Sequence, residues 1–339
     1  MKFPREHYHR MYVALVTPFH KGSFELDEQQ MRRFVDMFMQ PKYVEAGIAL
    51  IVNPEAGELY CLNQEEKRRN VEVVVDEVRG RAPVLAGILD TTTVGMVRVA
   101  RDAKEAGVDG FFVMPPIGSI DITIGWNASK YPEVFIDMLK EISSVDTELP
   151  LVVHPTAALS LAYGEGIPAE PTIEICRALP NIVGWKMTYN YEGYKTISRT
   201  LRSLDPSVAI FAAPGNFFHE NLLNNCFDGT VSGSFCYALE PMIDHILAWR
   251  QGNLPEARRI WEQGLGELHD YVYSDWSRLH VRYKIGAWLR GFIDSPYMRP
   301  PMPKPQRQEV ETLRSLLLKT EVSIIDQEAI EKVTASLSK

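Results

Sequence analysis

Lys186 closes the run Asn181-Ile182-Val183-Gly184-Trp185-Lys186, and a lysine ending a buried strand projects its amine among apolar walls. An ordinary lysine amine, with a pKa of about 10.4, is protonated at neutral pH, and desolvation disfavours that charge. A desolvated amine is a nucleophile towards a carbonyl, and the resulting Schiff base is an electron sink. The alternative is a lysine held in an ion pair at the rim of the fold. His154 closes the preceding run, Pro150-Leu151-Val152-Val153-His154, and its imidazole suits proton transfer near neutral pH, or else is a satisfied structural histidine. In the loop Asn53-Pro54-Glu55-Ala56-Gly57-Glu58, Gly57 permits a tight turn whose N–H groups could hold a carboxylate; the plainer reading is a turn with an acidic surface. Thr17, in Thr17-Pro18-Phe19, offers a hydroxyl for a ligand or simply ends a strand. Phe217 and Phe218 either line a pocket or pack beneath a helix. The remaining histidines, including the His7 and His9 pair, have no carboxylate at a recognised ligand spacing, so no metal site is expected.

These residues need a scaffold that gathers strand ends. Eight short apolar runs recur between longer amphipathic segments: Tyr12 to Val16, Ile48 to Val52, Pro83 to Ile88, Gly110 to Met114, Leu151 to His154, Ile182 to Lys186, Ala209 to Ala212 and Gly229 to Ser232. Eight strands with seven intervening helices predict an α/β fold, a (β/α)8 TIM barrel whose loops after the strands build the active site. Asp27 should cap a helix over Glu28 to Met39, and Asn63, with Glu66 as its capping-box partner, one over Gln64 to Val78. A helix from Val94 to Glu105 ends at Ala106-Gly107. Beyond the eighth run the pattern is helical, over Pro255 to Tyr273 and Arg278 to Phe292. A proline-rich link from Pro296 to Pro305, a helix over Arg307 to Lys319 and a tail follow. The expected division is a barrel over 1–235 and a C-terminal helical extension over 236–339.

The chain has 339 residues, 45% hydrophobic and 24% charged, with a net charge of −8. That balance excludes disorder for most of the chain and gives no field for nucleic acid or an anionic membrane surface. No apolar run approaches the roughly 20 residues of a membrane span. The opening Met-Lys-Phe-Pro-Arg-Glu has no apolar signal core, so a cytoplasmic location is expected, with Cys61, Cys176, Cys226 and Cys236 as reduced thiols.

Several segments, in order over about residues 12 to 305, together resemble the N-acetylneuraminate lyase and dihydrodipicolinate synthase family of class I Schiff-base aldolases, lyases and dehydratases. They are Ala14-Leu15-Val16-Thr17-Pro18-Phe19, Gly57-Glu58 with Leu62 and Glu65-Glu66-Lys67-Arg68, Ala86-Gly87-Ile88, Ala106 to Gly110, Val113-Met114-Pro115, Gly184-Trp185-Lys186, Gly229 to Gly233 and Arg299-Pro300-Pro301. The resemblance implies that Lys186 forms a Schiff base with a 2-oxo acid such as pyruvate, and that the barrel assembles as a homotetramer.

Departures from the family pattern bear on the reaction. Where the family has Gly-Thr-Thr-Gly-Glu, this chain has Pro54-Glu55-Ala56-Gly57-Glu58. The main-chain N–H groups at Ala56 and Gly57 remain for a carboxylate, with Glu55 opposing it. His154 stands where the family has a proton-relaying tyrosine. The tyrosine pair after Pro115 is replaced by Pro116-Ile117, a segment that meets a neighbouring subunit in relatives, and no arginine occurs from Thr156 to Leu161. These losses argue against lysine biosynthesis. Thr188 resembles the Lys-x-Thr of sugar-acid lyases, whereas the polyol-binding Gly-x-Asp-Glu reads Gly215-Asn216-Phe217-Phe218, which favours an apolar pocket. With Trp185 and Trp126 nearby, the expected substrate is an apolar or aromatic 2-oxo acid, as for the family's hydratase-aldolases. In this reading Lys186 and His154 carry the chemistry, Thr17, Ala56, Gly57, Thr188, Gly215 and Phe217 bind substrate, and no cofactor is required because the iminium is the electron sink. The alternatives are a keto-deoxy sugar acid dehydratase or lyase, and a non-catalytic barrel that binds a metabolite.

Overall fold

A computed structural model of the chain describes residues 4–116, 119–121, 124–156, 164, 166–335 and 337. Ile117 of the Pro116-Ile117 pair, and Ala157 to Leu161 of the segment without an arginine, lie outside the described residues. The strands are β1 Met11–Ala14, β2 Ile48–Val52, β3 Val84–Ile88, β4 Gly110–Val113, β5 Ser119–Asp121, β6 Ile124–Gly125, β7 Leu151–Val153, β8 Ile182–Met187, β9 Ala209–Ala212 and β10 Gly229–Ser232. Eight of them close a parallel barrel in the order β1-β10-β9-β8-β7-β4-β3-β2, and β5 and β6 form a separate antiparallel hairpin. The barrel is thus the (β/α)8 TIM barrel that the apolar runs predict, with a helical extension after β10.

Parallel strands buried on both faces read as continuous apolar runs, and Ile48–Val52 is such a run, buried throughout. Alternate residues divide between two cores. Tyr12, Ile51, Leu85, Phe112, Val152, Val183, Phe211 and Val231 fill the barrel interior. Val13, Leu50, Ala86, Val113, Val153 and Ile210 pack against the surrounding helices.

The alternation breaks once, where it matters most. Leu151 pairs with Ile182, but Val152 pairs with Gly184, so β8 carries one extra residue opposite β7. Such a bulge re-aims the side chains that follow. Trp185 consequently joins the helix-facing core, donating its indole N–H to the Tyr189 hydroxyl at 2.9 Å, and Lys186 turns into the barrel. A Cβ on Gly184 would lie 2.2 Å from the Phe211 ring, so the bulge needs glycine. Trp185 is therefore a packing residue and no part of the pocket wall, contrary to its expected place beside the substrate.

The helices Gln64–Val78 and Glu28–Phe38 start at the caps read from the sequence, with the reciprocal Asn63–Glu66 capping box in place. Past β10 the pattern is more broken than its periodicity suggests. Instead of one helix over Pro255 to Tyr273 there are helices Leu254–Ile260 and Gly266–Tyr273, joined by a π-type turn over Trp261–Leu265. Gly264, at φ +136°, leaves helical geometry there. The expected helix over Arg278 to Phe292 spans Leu279–Leu289, entered by a 3-10 turn at Trp276–Arg278. Among the described residues no helix is long and apolar enough to cross a membrane.

Candidate active site

The C-terminal ends of the barrel strands open into a cavity of about 450 Å³. β8 delivers Lys186 to its floor, the end of β7 delivers His154, and the turn after β2 delivers Glu55 and Ala56. That turn is anchored from behind. Asn53, at φ +52°, donates its side-chain N–H to the Lys67 carbonyl at 2.8 Å and accepts from Asn70 at 2.7 Å, which ties the loop to the helix Gln64–Val78.

Glu55 and Lys186 are in direct contact: the amine donates to Oε1. The same Oε1 lies 2.9 Å from His154 Nε2. The other face of the imidazole decides which nitrogen carries the proton. The backbone N–H of Thr156 points at His154 Nδ1 from 3.3 Å, and the Thr156 hydroxyl lies 2.9 Å from it, so Nδ1 accepts. Nε2 is then the protonated nitrogen and donates to Glu55. Burial pushes His154 down to about 3, which keeps it neutral at ordinary pH. Burial also pushes the Lys186 amine down to about 7, and an ionised Glu55 in contact opposes that shift by favouring the ammonium. The Phe112 ring, its centroid 5.6 Å from Nζ, forms the apolar side of the lysine's surroundings.

Of the residues expected to bind substrate, Ala56 and Thr188 line the cavity with Lys186 and His154. Thr17 and Gly57 are placed together behind the wall: the buried Thr17 hydroxyl donates to the Gly57 carbonyl at 2.7 Å. The Gly57 N–H, expected to hold a carboxylate, donates to the Pro54 carbonyl at 3.0 Å and closes the turn. Gly215 packs against the His269 ring, where an added Cβ would come within 2.9 Å. Phe217 lines an adjoining cleft of about 390 Å³, which shares Thr156, Thr188, Tyr273 and Trp276 with the main cavity. Phe218, one residue on, is buried beneath the barrel end against Phe227.

Trp126 lines the cavity as the sequence suggested, whereas the other wall residues have no local mark in the sequence. Tyr273, Trp276, Leu279, His280 and Tyr283 come from the helical extension, and Trp126 from the segment following β6. Tyr283 donates to the Tyr273 hydroxyl at 2.5 Å, and Tyr273 donates to the Ala213 carbonyl at 2.9 Å, which fixes this wall to the end of β9. Burial lowers His280 below its usual value, and the nearby Lys186 adds to the shift. Glu58, beside Gly57, serves a different purpose. It is fully buried with Lys284 at 2.5 Å and accepts from the Arg299 N–H at 2.7 Å, joining the β2 loop to the extension. Among the described residues no three His, Cys, Asp or Glu side chains gather as a metal-binding group.

The sequence has counterparts across the length of this fold. The Dihydrodipicolinate synthetase family matches residues 7–320. A 4-hydroxy-tetrahydrodipicolinate synthase from Methanopyrus kandleri is 25% identical over 307 residues, covering 90% of this chain and 94% of that protein. The Escherichia coli protein YjhH, named as a probable 2-dehydro-3-deoxy-D-pentonate aldolase, is 28% identical over 248 residues, 72% of this chain and 75% of its own. Among solved structures, Escherichia coli YagE in complex with pyruvate superposes with a TM-score of 0.79 at 20% identity, covering 93% of this chain and 99% of that one. Ruminococcus gnavus sialic acid aldolase gives 0.76 at 17% identity, over 96% and 99%. With the match running from the first barrel strand into the extension, the chain belongs to the dihydrodipicolinate synthetase family.

Proposed function

We propose that the protein is a Schiff-base-forming lyase, an aldolase or hydratase-aldolase, acting on a 2-oxo acid with an apolar or aromatic substituent, and that it is not a lysine-biosynthetic synthase. The observation that carries this reading is the buried amine of Lys186 on the cavity floor, in contact with a carboxylate and beside a neutral imidazole. The neutral amine attacks the 2-oxo carbonyl, water leaves, and the iminium accepts the electron pair released when a bond further along the substrate breaks. Glu55 and His154 stand within reach of the protons that move. The occurrence of pyruvate in the complex of the YagE neighbour supports a 2-oxo acid as the carbonyl partner. Support for an apolar substituent comes from the walls: Trp126, Met114, Pro115, Leu279 and Trp276 border the cavity, and Phe217 the adjoining cleft.

A second reading, a lyase or dehydratase for keto-deoxy sugar acids, is favoured by Thr188 on the cavity wall and by the likeness to YjhH. The test is borohydride trapping with pyruvate and with aromatic and polyhydroxylated 2-oxo acids, read by peptide mass. The expected result is a reduced adduct on Lys186, absent from Lys186→Ala, with aromatic acids turned over fastest. A preference for the polyols would establish the second reading, and the absence of any adduct on Lys186 would remove both.

A further inference from the structure

The contact between Glu55 and Lys186 raises a question that the Schiff-base reading leaves open: how a lysine held as an ammonium becomes a nucleophile. We propose that Glu55 is the general acid–base of imine formation, taking the proton from the Lys186 ammonium and returning it to the hydroxyl that departs from the carbinolamine. This rests on the reading of Lys186 as the imine-forming residue.

The arrangement suits both halves of the task. Oε1 accepts from Lys186 Nζ and from His154 Nε2, whereas Oε2 is buried with no partner among the described residues, in a side chain that borders the cavity. The carboxylate is therefore engaged through one oxygen with the nitrogen at which a carbinolamine would form, and no hydrogen bond to its other oxygen ties it elsewhere. His154 cannot easily replace it. Its Nδ1 is occupied by Thr156, and its Nε2 proton is directed at Glu55, so it is a positioning residue that holds the carboxylate against the amine. Burial of the amine lowers the cost of moving its proton onto the carboxylate, because a neutral amine and a neutral acid lose less solvation in a dry site than the ion pair does.

The steps balance. The ammonium proton passes to the Glu55 carboxylate, the amine nitrogen bonds to the carbonyl carbon, and the C–O π bond breaks. The proton on the new C–N nitrogen moves to the alkoxide oxygen, giving the neutral carbinolamine. The Glu55 carboxylic acid then protonates the hydroxyl, the C–O bond breaks, and water leaves. The products are an iminium, water and the original carboxylate. While Glu55 is protonated it no longer repels the carboxylate of an incoming 2-oxo acid, which removes the conflict that this glutamate otherwise presents.

Timed borohydride quenching of the full-length protein with pyruvate, followed by the mass of the Lys186 peptide, tests the idea. The sign is diagnostic. If Glu55 were only a counter-ion, Glu55→Gln would free the amine and speed trapping. An acid–base role predicts slowing by about 100-fold or more, with the same final extent of adduct. Glu55→Ala should be equally slow and should regain about ten-fold in rate with added formate but not with chloride at equal ionic strength. Trapping by Glu55→Gln at or above the wild-type rate, or a slow Glu55→Ala indifferent to formate, overturns the proposal and leaves the imine at Lys186 standing. Failure of the wild-type protein to trap at Lys186 removes the Schiff-base reading itself.

Discussion

His245 and His269 are fully buried, and desolvation pushes each imidazole down to about 3. His269 Nδ1 is satisfied by the Tyr237 hydroxyl at 2.8 Å, and His245 Nε2 meets His219 at 3.0 Å within a stack that includes Trp261. Neither ring has a carboxylate as its hydrogen-bond partner, so the charged form is disfavoured in the folded protein. In the unfolded chain the same groups take up protons near 6.5. Their contribution to stability is therefore complete above pH 6.5 and is lost progressively as the pH falls towards 3. At about 1.4 kcal/mol per unit of displacement, the two together remove several kcal/mol well before the acid limit, a large share of the ordinary ~5–15 kcal/mol. Carboxylates with ordinary values stay mostly ionised between pH 6.5 and 5, so that window isolates the imidazoles. The thermal midpoint should fall as the pH drops across the window, with His154 and His280, displaced in the same direction, adding to the fall. A midpoint that stays level down to pH 5 would contradict the assignment.

At the scale of elements, the β2 loop and the helix Leu279–Leu289 are joined by Glu58 and Lys284, which are almost wholly withdrawn from water. Burial lowers the Lys284 amine and the Glu58 carboxylate opposes that, so the amine depends on the carboxylate to remain charged. Breaking such a pair from one side strands a buried charge at a cost of about 3–5 kcal/mol. Lys284→Met should lose about that much in urea unfolding, and Glu58→Gln combined with Lys284→Met should recover most of it. An equal loss in both variants would show that packing, not charge, joins the elements. This pair also marks where reading the sequence runs out. The strands were legible because burial on both faces demands unbroken apolar runs, and Lys186 because it ends one of them. The orientation of Trp185 was not, since a one-residue bulge reverses the alternation on which any such inference depends. Glu55 was visible as an acidic intrusion into a turn expected to hold a carboxylate, but its contact with Lys186, 131 positions away, follows only from barrel closure. Tyr273, Trp276, His280 and Tyr283 carry no local signal at all, because what gathers them is the packing of the extension over the barrel mouth.

For the molecule as a whole, the barrel and the extension divide the site between them. Lys186, His154 and Glu55 stand on the barrel's strand ends and the loop after β2, whereas Tyr273, Trp276, Leu279, His280 and Tyr283 form a wall that the extension swings across. Trp276 is 56% exposed, at the junction of the main cavity and the adjoining cleft that Phe217 lines. A ring exposed there has apolar surface left to cover, and a substituent extending from the reaction centre into the cleft would cover it. Burial of an aromatic face of this kind contributes on the order of 1–3 kcal/mol. Under the proposed function this division assigns bond cleavage to the barrel residues and choice of substituent to the extension. Trp276→Ala should therefore lower kcat/KM for an aromatic 2-oxo acid about ten-fold relative to that for one of pyruvate size, mainly through KM. The measurement is the ratio between the two substrates, which is insensitive to the fraction of protein folded. An unchanged ratio would mean that the substituent points away from the cleft and that the extension serves only to close the barrel.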